Sequence, residues 1–153
     1  IMTVKIYYRD KFVQGLYANA GVQTQGSAGF DLVCVEDLRF DSNGQFQLLD
    51  LGVVVKPPPG HHCLLMPRSS TYKKFGIIQA NSIGLIDEDY CGPEDYWCFP
   101  AIYLRSQALE IKAGTRIAQF ILQRTVPISG VEEFQPAGSS RGGFGSTGHL
   151  HRH

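Results

Sequence analysis

The chain has 153 residues, a length suited to one domain with a substantial core. Fourteen Lys and Arg balance fourteen Asp and Glu, which leaves no overall basic field to draw nucleic acid or an anionic membrane surface. With 43% apolar and 18% charged residues, the composition excludes a disordered chain, and no apolar run is long enough to span a bilayer. The opening Ile1-Met2-Thr3-Val4-Lys5 lacks the apolar centre of an export signal. A cytoplasmic protein is therefore expected, with Cys34, Cys63, Cys91 and Cys98 reduced and packing mostly as small apolar side chains. In chain order, apolar periodicity predicts strands over 4–8, 30–35, 46–55, 62–66, 76–79, 96–104, 108–111 and 117–123. Turn signals separate them at Asp41-Ser42-Asn43-Gly44, Lys56-Pro57-Pro58-Pro59-Gly60 and Lys112-Ala113-Gly114. The one helical turn predicted is Ser70-Thr71-Tyr72-Lys73-Lys74, with Ser70 as its cap. Many short strands without a major helix imply an all-β sandwich or jelly roll over residues 1–135. From Pro136 onward, glycine and serine dominate, and 136–153 reads as a flexible arm ending in His149, His151 and His153.

Several segments carry the residue types that chemistry needs. The arm combines Gly-rich backbone, hydroxyls and Arg141, a surface suited to phosphate oxygens. Its lone aromatic, Phe144, has no use in a plain linker and suits base stacking. Arg68-Ser69-Ser70 follows an apolar strand and offers a guanidinium, hydroxyls and N–H groups to one anion. In Leu85-Ile86-Asp87-Glu88-Asp89-Tyr90, acids follow an apolar run; if extended, Asp87 and Asp89 share a face. Such a carboxylate serves as a general base to water, binds a divalent ion, or belongs to a solvated turn. Asp31 stands among apolar neighbours and demands a partner, for which Arg116 is available. Adjacent His61, His62 and Cys63 on a strand alternate in direction, so at most two could share a metal.

Five segments in this order resemble the five motifs of the trimeric dUTP diphosphatases (dUTPases). They are Ala28-Gly29-Phe30-Asp31-Leu32, Pro67-Arg68-Ser69-Ser70, Asn81 through Gly92, Arg116-Ile117-Ala118-Gln119, and Gly142-Gly143-Phe144-Gly145-Ser146-Thr147-Gly148. The resemblance implies a jelly-roll homotrimer whose subunits share active sites, and hydrolysis of dUTP to dUMP and pyrophosphate with Mg²⁺ carried on the triphosphate. By position, Asp87 matches the carboxylate that orients and deprotonates water. Arg68, Ser69, Ser70 and Gln119 match phosphate contacts, and Asp31 the acid supporting the metal–water network. Asn81 and Gly84 fall at the uracil pocket, where the hairpin backbone also reads the base edge. Tyr90 falls under the deoxyribose and Phe144 over the base, while Gly145, Ser146 and Thr147 lie on the γ-phosphate segment.

Two departures stand out. Arg141 precedes Phe144 by three positions, where family arms commonly place Arg five before, a place held here by Ser139. The stretch from Gly92 to Gly114 is longer than usual and is expected to border the base-reading hairpin, with Tyr96-Trp97-Cys98-Phe99 as hairpin core or as an exposed partner surface. A dCTP deaminase shares the fold and a similar Arg-Ser-Ser segment, but Ala101-Ile102-Tyr103-Leu104 supplies no acid for deamination. A dUTPase-like regulatory protein that binds a protein partner is the other alternative.

Overall fold

The computed structural model describes residues 2–20 and 24–145. Eleven strands and two short helices fill that span: β1 (Lys5–Tyr8), α1 (Lys11–Asn19), β2 (Phe30–Val33), β3 (Leu38–Phe40), β4 (Phe46–Asp50) and β5 (Val53–Lys56) come first. They are followed by β6 (His61–Pro67), α2 (Thr71–Phe75), β7 (Ile77–Gln79), β8 (Gly84–Ile86), β9 (Cys98–Tyr103), β10 (Leu109–Ile111) and β11 (Arg116–Arg124). All pairings among them are antiparallel. The largest sheet has the order β2-β11-β6-β8, faced by β4-β9-β7 and the ribbons β1-β5 and β10-β3. The all-β expectation holds, and the sheets close on one core that includes Leu32, Phe40, Leu49, Val53, Trp97, Phe99, Tyr103 and Ile117.

α1 was not expected. Asp10 caps it by accepting the Val13 N–H at 2.8 Å, which holds the Asp10 carboxyl below the usual carboxylate range. Val13 and Tyr17, four apart, turn inward, and the Tyr17 hydroxyl donates to Leu51 O at 2.6 Å. Burial drives that phenol well above its ordinary pKa. The signal is present in the sequence as apolar positions 13, 16, 17 and 20, but it is short and crossed by Gly15.

The expected single strand over 46–55 is two strands. Asp50 Oδ1 accepts the Gly52 N–H at 2.7 Å, a local turn that ends β4 on β9 and starts β5 on β1. β9 begins at Cys98, later than expected, and β3 and β8 are strands the periodicity missed because three residues show too little alternation. The aromatic run at 96–99 is no continuous surface: Trp97 and Phe99 are buried, and Trp97 meets Phe120 edge-on at 5.1 Å between ring centres. The segment before it lies on β5, with Trp97 N–H donating to Val53 O at 2.9 Å. After β11, the Thr125 N–H still donates to Gly60 O, whereas 126–145 carry no helix or strand. Val126, Ile128, Val131 and Phe134 in that segment are at least 80% exposed in the single chain.

Candidate functional site

Antiparallel register places the candidate residues on one face of the β2-β11-β6-β8 sheet. Core-facing rows contain Phe120 with Leu65 and Gly84, and Leu122 with Cys63 and Ile86. Rows between them point outward because side chains alternate along a strand. The first outward row is Asp31–Gln119–Met66, the next is Ile121–Leu64–Leu85, and the third holds Gln123 opposite His62. Asp87 follows Ile86 and comes level with that third row.

The first row is a locked polar cluster. Asp31 Oδ1 accepts from Arg68 Nε at 3.2 Å, and Oδ2 lies 3.5 Å from an Arg116 terminal nitrogen. The expected Arg116 partnership is present, with Arg68 as a second partner that sequence reasoning did not pair with this acid. Two guanidinium groups around one half-buried carboxylate repay its desolvation and fix all three side chains. Gln119 donates from Nε2 to Pro67 O at 3.1 Å, and its Oε1 lies so close over Gly29 that a Cβ there would displace the amide. Arg68 sits where β6 turns into α2. Ser70 occupies the N-cap position of α2 but makes no side-chain capping bond, contrary to expectation. Buried Thr71 takes over: its hydroxyl accepts the Arg68 N–H at 3.0 Å and donates to Ile117 O at 2.8 Å. The hydroxyls of Ser69 and Ser70 are thus not consumed in starting α2.

The third row belongs to a different environment. Residues 87–90 form a turn, with Tyr90 N–H donating to Asp87 O at 3.2 Å, so the extended arrangement that would align Asp87 with Asp89 does not occur. Asp87, Glu88, Asp89 and Tyr90 are exposed. With Lys56, Pro57 and Pro59, the three acids line a hollow of about 440 Å³. Glu88 fastens the turn by accepting the Gly60 N–H at 3.0 Å, a role that its sequence position did not reveal. Asn81 and Gly84 flank the turn between β7 and β8. Four residues of β6 separate the Met66 row from the His62 row, about 13 Å at ordinary strand rise. Between them lies the apolar belt of Leu64, Leu85 and Ile121, and Leu85 is 65% exposed.

His61 Nδ1 lies 2.9 Å from Pro59 O; His62 reaches Thr125 Oγ1 and Gln123 Oε1. Cys63 turns the other way into the core, where burial pushes its thiol up to about 11, as it does for Cys34. Among the described residues no three His, Cys, Asp or Glu side chains converge as metal ligands. Arg141, Phe144 and Gly145 lie in the exposed segment after β11, away from regular structure. Ser146 and Thr147 are outside the described residues.

A family model described as dUTPase matches residues 19–148. The chain is 41% identical over 148 residues to the SPβ prophage-derived deoxyuridine 5'-triphosphate nucleotidohydrolase YosS of Bacillus subtilis, covering 96% of this chain and 99% of that one. The chain belongs to the dUTPase family. It is also 37% identical over 129 residues to the deoxyuridine 5'-triphosphate nucleotidohydrolase of Idiomarina loihiensis, covering 82% of this chain and 83% of the other. Among solved structures, the dUTPase of Streptococcus mutans superimposes with a TM-score of 0.68 at 26% identity, over 83% of this chain and 98% of its own. A Staphylococcus bacteriophage 80alpha dUTPase variant shares the fold, with a TM-score of 0.70 at 20% identity over 95% of this chain and 98% of that one.

Proposed function

We infer that this dUTPase-family chain hydrolyses dUTP to dUMP and pyrophosphate, limiting uracil incorporation into DNA and supplying dUMP for dTMP synthesis in the cytoplasm. The observation that carries the mechanism is the division of one sheet face into two polar ends, about 13 Å apart along β6 and separated by an apolar belt. Arg68 follows the far end of β6 and is tied across β11 to Asp31, which holds it away from the Asp87 of its own chain. A site that holds a triphosphate on Arg68 and activates water at Asp87 therefore draws the two groups from different copies. A homotrimer supplies this arrangement and covers Leu64, Leu85 and Ile121, together with the exposed apolar residues after β11.

In that site Arg68, Ser69, Ser70 and Gln119 hold the phosphates. Asp87 of a neighbouring copy orients a water at the α-phosphorus and takes its proton. The water's O–P bond forms as the α–β bridging bond breaks, and pyrophosphate leaves. Mg²⁺ held by the triphosphate would supply charge neutralisation there. That assignment suits a cluster in which both Asp31 oxygens already face guanidinium groups. Asp31 would support that ion through water. Asn81 and Gly84 border the uracil, Tyr90 packs under the deoxyribose, and the 136–153 arm closes with Phe144 on the base and Arg141, Gly145, Ser146 and Thr147 toward the γ-phosphate.

Turnover with dUTP, dCTP and dTTP, scoring pyrophosphate and ammonia separately, tests the activity. Pyrophosphate from dUTP alone is expected; ammonia from dCTP would establish a deaminase, and no release from any nucleotide would leave the partner-binding alternative.

A further inference from the structure

The turn joining β7 to β8 is strained and fastened in an unusual way. Ser82 has φ of 64°, in the left-handed region that residues with a Cβ seldom adopt. The Ile83 N–H closes a three-residue turn on Asn81 O at 2.7 Å, and γ-turns with positive φ are rare and costly. Such a conformation persists only where its surroundings over-determine it.

Gln79 supplies that constraint. Its carbonyl accepts the Ser82 N–H at 3.1 Å, closing the front of the turn, and the next residue is fixed by Ala80 N–H to Pro100 O at 2.8 Å. Its side chain crosses beneath the turn and donates from Nε2 to Leu65 O at 3.2 Å. Leu65 is the cross-strand partner of Gly84, where the turn ends. A Cβ on Gly84 would stand 3.1 Å from Leu65 Cβ and 3.5 Å from Gln79 Nε2, so a side chain there would crowd Leu65 and touch this amide. Gln79 is only 5% exposed, and its Oε1 has no hydrogen-bond partner among the described residues. Filling the core does not call for an amide here, since an apolar side chain of equal length leaves no acceptor unpaired. What the amide adds is a bond from the start of the turn to Leu65, the β6 residue that pairs with Gly84 at its end.

Resting on the function proposed above, we propose that Gln79 is a positioning residue for base selection, holding the strained 81–84 backbone in the one arrangement that pairs with the uracil edge. Gln79 touches no substrate itself. Two variants of the full chain test it: Gln79→Met, which keeps length but cannot donate to Leu65 O, and Ser82→Val, in which a β-branched residue resists positive φ at an exposed position. The readouts are kcat and KM with dUTP, calorimetric binding of dUMP against dCMP, and thermal melting.

For Gln79→Met, KM for dUTP should rise about tenfold with kcat within about twofold, and the dUMP-over-dCMP preference should narrow about tenfold, the scale of one lost buried hydrogen bond. Ser82→Val disturbs no buried contact and should narrow the same preference in protein that remains folded, whatever small fall in melting temperature the strain brings. A purely structural Gln79 would lower melting while leaving KM and the dUMP-to-dCMP ratio of the folded protein unchanged, and that result overturns the proposal. Should Gln79→Met fail to fold, an unchanged ratio in Ser82→Val overturns it equally. A parent chain that neither hydrolyses dUTP nor binds dUMP refutes the functional reading and this inference with it. An active parent with indistinguishable variants refutes the inference alone.

Discussion

The two polar ends of the β2-β11-β6-β8 sheet are built on opposite principles. At one end, Asp31, Arg68, Arg116 and Gln119 are half-buried and fixed by contacts within the chain. At the other, Asp87 and Tyr90 ride on an exposed turn held to the body by Glu88 and Gly60. Anion binding needs a rigid cradle, and each chain makes its own. On the function proposed, the carboxylate of Asp87 needs only to be delivered to that cradle by a neighbouring copy. That reading separates folding from catalysis: the first end is tied into the fold by its ion pairs, while the second is an exposed turn.

The sharpest way to break this contrast is Asp87→Asn. The amide keeps the size but cannot take a proton, so kcat should fall roughly 10²–10⁴-fold. The melting temperature should stay within error, because the residue is exposed. A variant with near-parent kcat in a pyrophosphate-release assay removes Asp87 from the base role.

Next in size is removal of the arm. A chain ending at Gln135 loses Phe144 and the residues proposed to face the γ-phosphate, and the described part of what it loses, 136–145, is exposed throughout. Sizing by light scattering should find the parent oligomer, while turnover drops about 10²-fold through lost alignment of the phosphate chain. Full activity in this truncation would end the role given to the arm.

How much of this was legible in sequence differs between the two ends. Arg68 and Asp87 were singled out by residue types suited to anion or water chemistry, Asp31 as an acid among apolar neighbours, and Gln119 only by the resemblance of its segment to a dUTPase motif. The Asp31–Arg116 pairing followed from elementary electrostatics. What the sequence did not reveal was geometry across strands: that Arg68 also clamps Asp31, that Thr71 rather than Ser70 pins α2, and that Glu88 reaches Gly60. Each of those bonds joins elements whose register periodicity leaves open. Gln79 escaped for the same reason, since nothing in Ile77-Ile78-Gln79 distinguishes a buried amide from an edge polar residue. The α1 helix was lost to its own brevity.

Asp31→Ala probes the cradle end, where the effect should fall on stability as well as on activity. Removing a carboxylate shared by two guanidinium groups strands two partly buried cations and should cost about 1–3 kcal/mol, visible as a lower urea midpoint. If stability were unchanged, the cradle would not be the pre-built element described here. The smallest effect is expected for Tyr90→Ala on the other end. Removing the ring should admit UTP at a modest rate while lowering dUTP turnover only a few-fold; unchanged rejection of UTP would assign the sugar check to another group.

The division of labour between copies is tested most directly by subunit mixing. Asp87→Asn and Arg68→Ala proteins are each prepared in inactive form, then unfolded, mixed in equal amounts and refolded together. If Arg68 and Asp87 of one site come from different copies, random assembly gives about a quarter of the sites both intact groups, and dUTP hydrolysis should return to about that fraction of the parent rate. If both groups came from one chain, every site would lack one of them, and the mixture would stay as inactive as its components.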